Sequence, residues 1–389
     1  MKKHLFLRFI GLVFWVQAVF FICSHPNSYA ADAKNAVAAD QYAKAGREEM
    51  KKGDIDKAIG SFSKAISSNT KDSNVCVDLG DLYSKKGDLD KAIESYKKAI
   101  SLDPENPHSY NGLGNSYFRK GDLDKAIEHY NKAISLTSKD PTPYVGLGHI
   151  YCQQGNADRA IEFYNKALSM DPQDLYVYIG LGNSYSRKGD ADKAIESFNK
   201  ALALNAKDSN VYSGLGNLYA QKGDLDKASE SFNEALSLDP KNLYAYIALG
   251  NLQLQKGSID KALESYNKAL ALNAKVPDIH IGLGNLYSKT GNADKAIESF
   301  DKAISLNAND PNAYVGLGNV YLQKGDAKKA IESFDKVLSL DARSAMARRG
   351  LGMAYLELHD KDAAFKQYEI LNGLNQDLSE ELYEKIQSS

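Results

Sequence analysis

The chain has 389 residues, 43% of them hydrophobic and 25% charged, with a formal net charge of −2. That balance excludes a disordered chain and a plain coiled coil. It also gives no basic footprint for nucleic acid and no general attraction to an anionic membrane.

The N-terminus opens on the basic MKKHLFLR, continues through an apolar stretch of 15 residues from Phe9 to Cys23, and reaches small residues at Ser28 and Ala30. This is the build of a signal peptide over residues 1–30, cut before Ala31. The apolar run is short for a membrane span, which needs about 20 residues. Retention as an N-terminal membrane anchor is the alternative. Phe21 and Ile22 precede Cys23 where lipidation would want a small residue. The expected location is periplasmic or secreted, with no stable membrane insertion after cleavage. Residues 31–38 read as a short lead-in. Cys76 and Cys152 lie two repeats apart, beyond the roughly 7 Å that a disulfide spans, so no intrachain bridge is expected.

From residue 39 onward one pattern recurs with a period of 34 residues and no insertion. The Gly of its GLG triplet, Gly114, returns ten times in all, from Gly46 to Gly352. The predicted units are 39–72, 73–106, 107–140, 141–174, 175–208, 209–242, 243–276, 277–310, 311–344 and 345–378, followed by a capping helix over 379–389. A period of this size marks a repeat array rather than an ordinary globular domain.

Each unit predicts two helices. In the unit 107–140 the first carries Tyr110, Leu113, Gly114 and Tyr117 on one face. Asp72, Asn106, Asp140, Asp174, Asp208, Asn242 and Asp310 stand where a side chain caps the helix start. Gly121 and its equivalents stand where a left-handed turn ends it. In the second helix Ala126, Tyr130 and Ala133 share a face. The small residues allow close approach, and the aromatic, present in every unit from Phe62 to Tyr368, fills the space they leave. The ends depart from the pattern: Glu49 replaces the usual Tyr, Arg348 and Arg349 replace a Tyr and an apolar residue, and His359 replaces the turn Gly. Ser379 is expected to cap the last helix.

The series Tyr110, Leu113, Gly114, Tyr117, Gly121, Ala126, Tyr130 and Ala133, with Asp-Pro closing other units, resembles the tetratricopeptide repeat. The resemblance implies an all-α fold, a right-handed α-solenoid of stacked antiparallel helix pairs with a C-terminal capping helix. It implies that first helices line a concave groove that takes a protein or peptide segment.

The residue after GLG then becomes the most informative one. It is Asn115, Asn183, Asn217, Asn251, Asn285 and Asn319, with Arg47, Asp81, His149 and Met353 as exceptions. A row of carboxamides, each both donor and acceptor, suits the backbone of an extended peptide. The alternative is that these Asn bond a neighbouring helix and only fix the repeat geometry. Asn111, Ile179 and Ile247, four residues earlier, and Phe118 and Leu254, three later, are expected to face the same groove. Arg187 stands with Lys85, Arg119 and Lys289 at its rim, and Tyr176 and Tyr244 near its mouth. Such a trough suits a partly apolar, mildly acidic segment. Some relatives clamp a C-terminal carboxylate with Asn or Arg two residues before the GLG glycine. Here that place holds Gly112, Gly146, Gly180, Gly214, Gly282, Gly316 and Gly350, and Ala248 in one unit, so terminal-carboxylate capture is not expected.

No catalytic arrangement, phosphate loop or cofactor motif is present in the sequence. His149 and Cys152 share a helix with His108 one unit earlier, and no metal is expected there. The leading expectation is an exported, non-catalytic scaffold. The alternatives are a self-associating assembly protein and the recognition subunit of a cell-envelope complex for polysaccharide export or glycosyl transfer.

Overall fold

The glycines and capping residues divide the chain into helices of nearly constant length. The computed structural model describes residues 26–389, with side chains from residue 34. Residues 1–25 of the segment 1–30 read as a signal peptide, Cys23 among them, lie outside the described residues. Among the described residues the chain forms 21 helices, no strand, and no helix long and apolar enough to cross a membrane.

Two compact units are present, ending at Leu204 and beginning at Asn205. The first contains α1 (Pro26–Lys51), α2 (Ile55–Ser67), α3 (Ser73–Lys86), α4 (Leu89–Leu102), α5 (Pro107–Lys120), α6 (Leu123–Leu136), α7 (Thr142–Gln153), α8 (Ala157–Leu168), α9 (Leu175–Lys188) and α10 (Ala191–Ala203). The second contains α11 (Ser209–Gln221), α12 (Leu225–Leu238), α13 (Leu243–Gln255), α14 (Ile259–Leu272), α15 (Pro277–Lys289), α16 (Ala293–Leu306), α17 (Pro311–Gln323), α18 (Ala327–Leu340), α19 (Ala345–Glu357), α20 (Lys361–Asn372) and α21 (Gln376–Ser388). Odd numbers up to α19 are the first helices of the pairs. Within each unit a second helix packs on its own first helix and on the next one. The segment 31–38 is not a separate lead-in: it is helical and continuous with the first helix, as its alanine-rich sequence favours.

Capping follows the sequence closely. Asp72 accepts from the Asn74 amide at 3.0 Å, Asn106 from His108 at 3.0 Å, and Asp140 from Thr142 at 2.9 Å. The second helices carry their own caps, which the sequence reading did not single out: Asp88, Asp122 and Asp224 each accept from the amide three residues on. Gly121 turns left-handed with φ 83° at the end of α5. His359 adopts the same turn at φ 58°, a conformation costly for a residue with a Cβ.

The core explains the GLG triplet. A Cβ on Gly114 would lie 2.6 Å from the Tyr130 ring of its own repeat. A Cβ on Gly146, two residues before the next GLG glycine, would lie 2.3 Å from the same ring on its other side. Tyr96, Tyr130, Tyr164, Tyr266, Phe300 and Phe334 are each held in this way between two glycines, one from each neighbouring first helix, whereas Asp78 and Ala248 take the second glycine's place in the repeats that follow Phe62 and Phe232. Phe300 repeats this between Gly284 at 2.7 Å and Gly316 at 2.3 Å. Full burial of such a ring stabilises by about 1.5–3 kcal/mol.

The C-terminal end breaks the scheme. The atoms nearest a Cβ on Gly352 belong to Leu382 of α21, at 2.5 Å, and not to Tyr368. Tyr368 packs instead between Phe365 and Tyr383. α21 also starts earlier than expected. Asn375 caps it by accepting from the Leu378 amide, while Ser379 is fully buried inside the helix. A bidentate pair between Arg349 and Glu381 ties α21 to α19, its Nε–Oε2 arm at 2.7 Å. This accounts for the atypical Arg349.

Candidate binding groove

The residue after GLG projects from the middle of each first helix, next to the glycine that grips the aromatic and within reach of the ring's outer end. In the second unit this row opens onto a pocket of about 750 Å³. Asn217, Asn251, Asn285 and Asn319 line it from α11, α13, α15 and α17, with Ile247, Ile281, Val315 and Leu254 between them. Tyr244, 71% exposed, stands over it. Asp278, Asn312, Lys289 and Gln255 add polar groups to the lining. Asp278 and Asn312 were not singled out from sequence, although they occupy the same repeat position as Tyr244.

The carboxamides fall into two classes. The Tyr266 hydroxyl donates to Asn251 Oδ1 at 2.7 Å, and Tyr130 donates to Asn115 Oδ1 at 2.7 Å. Asp81 accepts in the same way from Tyr96, at 2.6 Å. Asn183, Asn217, Asn285 and Asn319 share their repeats with Phe198, Phe232, Phe300 and Phe334, which have no hydroxyl to give. The signal for this division was the alternation of Tyr and Phe at the aromatic position. Burial pushes the hydroxyls of Tyr96, Tyr130 and Tyr266 well above the usual phenol range, so they stay protonated donors. In the fourth repeat His149 replaces the acceptor. Its ring stands edge-on to Tyr164 at 5.6 Å, and the buried Tyr164 hydroxyl has no partner.

The remaining candidates lie in the first unit. Asn111 is 7% exposed and donates to Asp140 Oδ2 at 3.3 Å, so it packs between helices more than it faces solvent. Phe118 is half-buried and stacked on His149 at 6.4 Å. Ile179 is half-buried on α9, and Asn183 is exposed one turn later. Arg187 donates to the Cys152 carbonyl at 2.7 Å, and Arg119 does the same to Ser84 at 2.7 Å. In the second unit Lys289 donates to the Leu254 carbonyl at 2.8 Å. These rim cations therefore satisfy carbonyls at the end of the preceding first helix. Cys76 is buried and Cys152 half-buried, both as free thiols, and burial pushes the Cys76 thiol up to about 11. Among the described residues no cluster of three metal-ligating side chains occurs.

Residues 80–121, 114–155, 250–291 and 285–325 match the family model described as TPR repeat, and residues 315–371 match a second described as tetratricopeptide repeat. The chain is a tetratricopeptide-repeat protein. A third model, the C-terminal domain of cilia and flagella-associated protein 70, matches residues 137–249. No curated protein sequence matches the chain. Among solved structures, this repeat protein is similar to a tetratricopeptide repeat protein from Parabacteroides merdae, with 22% identity, TM-score 0.56, and coverage of 64% of this chain and 98% of that one. It is also similar to yeast Tom70, with 18% identity, TM-score 0.50, and coverage of 90% and 95%. The Cut9–Hcn1 hetero-tetramer of the APC/C gives 15% identity, TM-score 0.55, and coverage of 94% and 88%. At these identities the likeness is one of fold.

Proposed function

We propose that this tetratricopeptide-repeat protein is a non-catalytic scaffold that binds a segment of another protein in the groove of its second unit. The observation that carries the reading is the pocket in which four Asn carboxamides alternate with aliphatic side chains. Three of those carboxamides, on Asn217, Asn285 and Asn319, have no hydrogen bond to the protein among the described residues, which leaves donors and acceptors for a bound main chain. The lining carries one acidic and one basic side chain, Asp278 and Lys289, and is otherwise uncharged, so a neutral segment fits it without stranding a charge. Lys289 is tied to the Leu254 carbonyl and Asp278 also lines the pocket, so the lining carries no net charge that would favour an acidic segment over a neutral one. The basic opening and apolar run of residues 1–30 support export.

The test is affinity capture with the full chain, wild type against the combined Asn217→Ala, Asn285→Ala and Asn319→Ala variant. Loss of captured partners with an unchanged melting temperature is the expected result. An identical set of partners from both proteins would show that the groove does not carry binding.

A further inference from the structure

The spacing of the Asn row and the fixed orientation of Asn251 bear on what shape of main chain fits. Neighbouring first helices such as α13 and α15 touch directly, and packed helices lie about 8–10 Å apart. A β-strand returns the same edge every two residues, or about 7 Å, and falls out of step with that interval. A polyproline II helix returns the same edge every three residues at 3.1 Å per residue, or about 9 Å, and keeps step.

We propose that the groove of the second unit takes a polyproline II segment of another protein, one backbone carbonyl per turn accepting from each Asn carboxamide, with Asn251 as the anchor. This deepens the peptide-binding reading above and rests on it. Tyr266 fills one lone pair of Asn251 Oδ1 at 2.7 Å and so holds its amide plane, leaving the NH₂ group as the outward donor. A donor suits a polyproline II chain, whose carbonyls are free of internal hydrogen bonds and whose prolines offer no N–H. Asn217, Asn285 and Asn319 have no such tether and can turn to meet their carbonyls. Ile247, Ile281, Val315 and Leu254 between the carboxamides fit a segment of apolar residues, and the 71% exposed Tyr244 offers the aromatic face that prolyl rings pack against. Four first helices span on the order of 30 Å, room for about nine residues of such a helix.

The test uses a random dodecapeptide display library on the full-length protein, with counter-selection on the Asn217→Ala, Asn285→Ala and Asn319→Ala variant. Enrichment of proline-rich peptides is the expected result. Tyr266→Phe, which installs the ring already present at Phe232 and Phe300, is expected to weaken the selected peptides about 2- to 10-fold through the lost preorganisation of Asn251. Its melting temperature should stay close to wild type. Enriched peptides with alternating apolar residues and no proline would overturn the polyproline assignment while leaving a peptide groove. Proline-rich binders indifferent to Tyr266→Phe would overturn the anchor role of Asn251. A library from which nothing is enriched would overturn the groove reading together with this one.

Discussion

In the first unit the residue after GLG runs through Arg47, Asp81, Asn115, His149 and Asn183, whereas in the second it runs Asn217, Asn251, Asn285, Asn319 and Met353. The helices that carry them are built alike, and in both units aromatics such as Tyr130 and Phe300 are gripped by glycines at the same two repeat positions. The polar groups meet different fates. In the first unit Arg47 pairs with Asp72 at 2.7 Å and Asp78 at 3.3 Å, Asp81 accepts from Tyr96, and Asn111 donates to Asp140. In the second unit Asn251 accepts from Tyr266 but Asn217, Asn285 and Asn319 are left open to a pocket, a fate that only Asn183 shares in the first unit. The contrast separates scaffold from ligand surface. Residues that grip the aromatic hold the repeat, and where Asn follows GLG the choice of Tyr or Phe as that aromatic decides whether the carboxamide is bonded internally or offered outward.

The scaffold half of that statement is the easiest to break. Gly146→Asn and Gly316→Asn place a side chain where a Cβ alone would lie 2.3 Å from Tyr130 and from Phe300. Both rings are fully buried. Overpacking of this kind costs about 1–3 kcal/mol or more, with Asn at the upper end. The expected loss is about 3 kcal/mol in each unit, read from denaturant midpoints. A large loss in one unit and none in the other would show that the two are not held alike. At Gly146 and Gly316 the same clash leaves no room for the Asn of a carboxylate clamp.

A finer comparison lies within the Asn row itself. Asn251→Ala and Asn115→Ala leave the Tyr266 and Tyr130 hydroxyls buried without an acceptor, at a cost of about 1–3 kcal/mol. Asn183→Ala and Asn285→Ala, in repeats with Phe198 and Phe300, are expected to change stability by less than about 0.5 kcal/mol. Equal losses at all four positions would return the whole row to a purely structural role.

The fold was legible in the sequence because every structural demand is repeated at a fixed interval. Gly121 and its equivalents, the caps at Asp72 and Asn106, and the aromatic at Tyr130 all occupy their expected places. The Asn row was legible as a row. Its division was not, because the Tyr130–Asn115 bond joins residues 15 apart on two helices, and the Arg119–Ser84 bond joins residues 35 apart. Pattern along one helix shows neither. The end was misjudged for a related reason. Repetition placed Tyr368 opposite Gly352, but with no further repeat to stack on, Leu382 of α21 fills that space. Asn375 then outcompetes Ser379 as the cap, since Ser379 is needed in the buried face.

The smallest expected effect concerns pH, and it again falls on one unit. His129 and His149 both lie in the first unit, and burial holds both below the usual imidazole range, Asp174 opposing the shift at His149. The unfolded chain therefore binds protons at these sites before the folded chain does. Stability from this source is fully present above about pH 6.5 and falls as pH drops toward the folded values. Hydrogen exchange at amides of α7 and α8 should speed between neutral and mildly acidic pH relative to those of α13 and α14. His149→Asn should flatten that dependence and give the Tyr164 hydroxyl the acceptor that Asn115 gives Tyr130, a gain of about 1 kcal/mol. If His149→Asn leaves both the pH dependence and the stability of α7 and α8 unchanged, the unpartnered hydroxyl is satisfied by some other group, and the fourth repeat is no exception in the array.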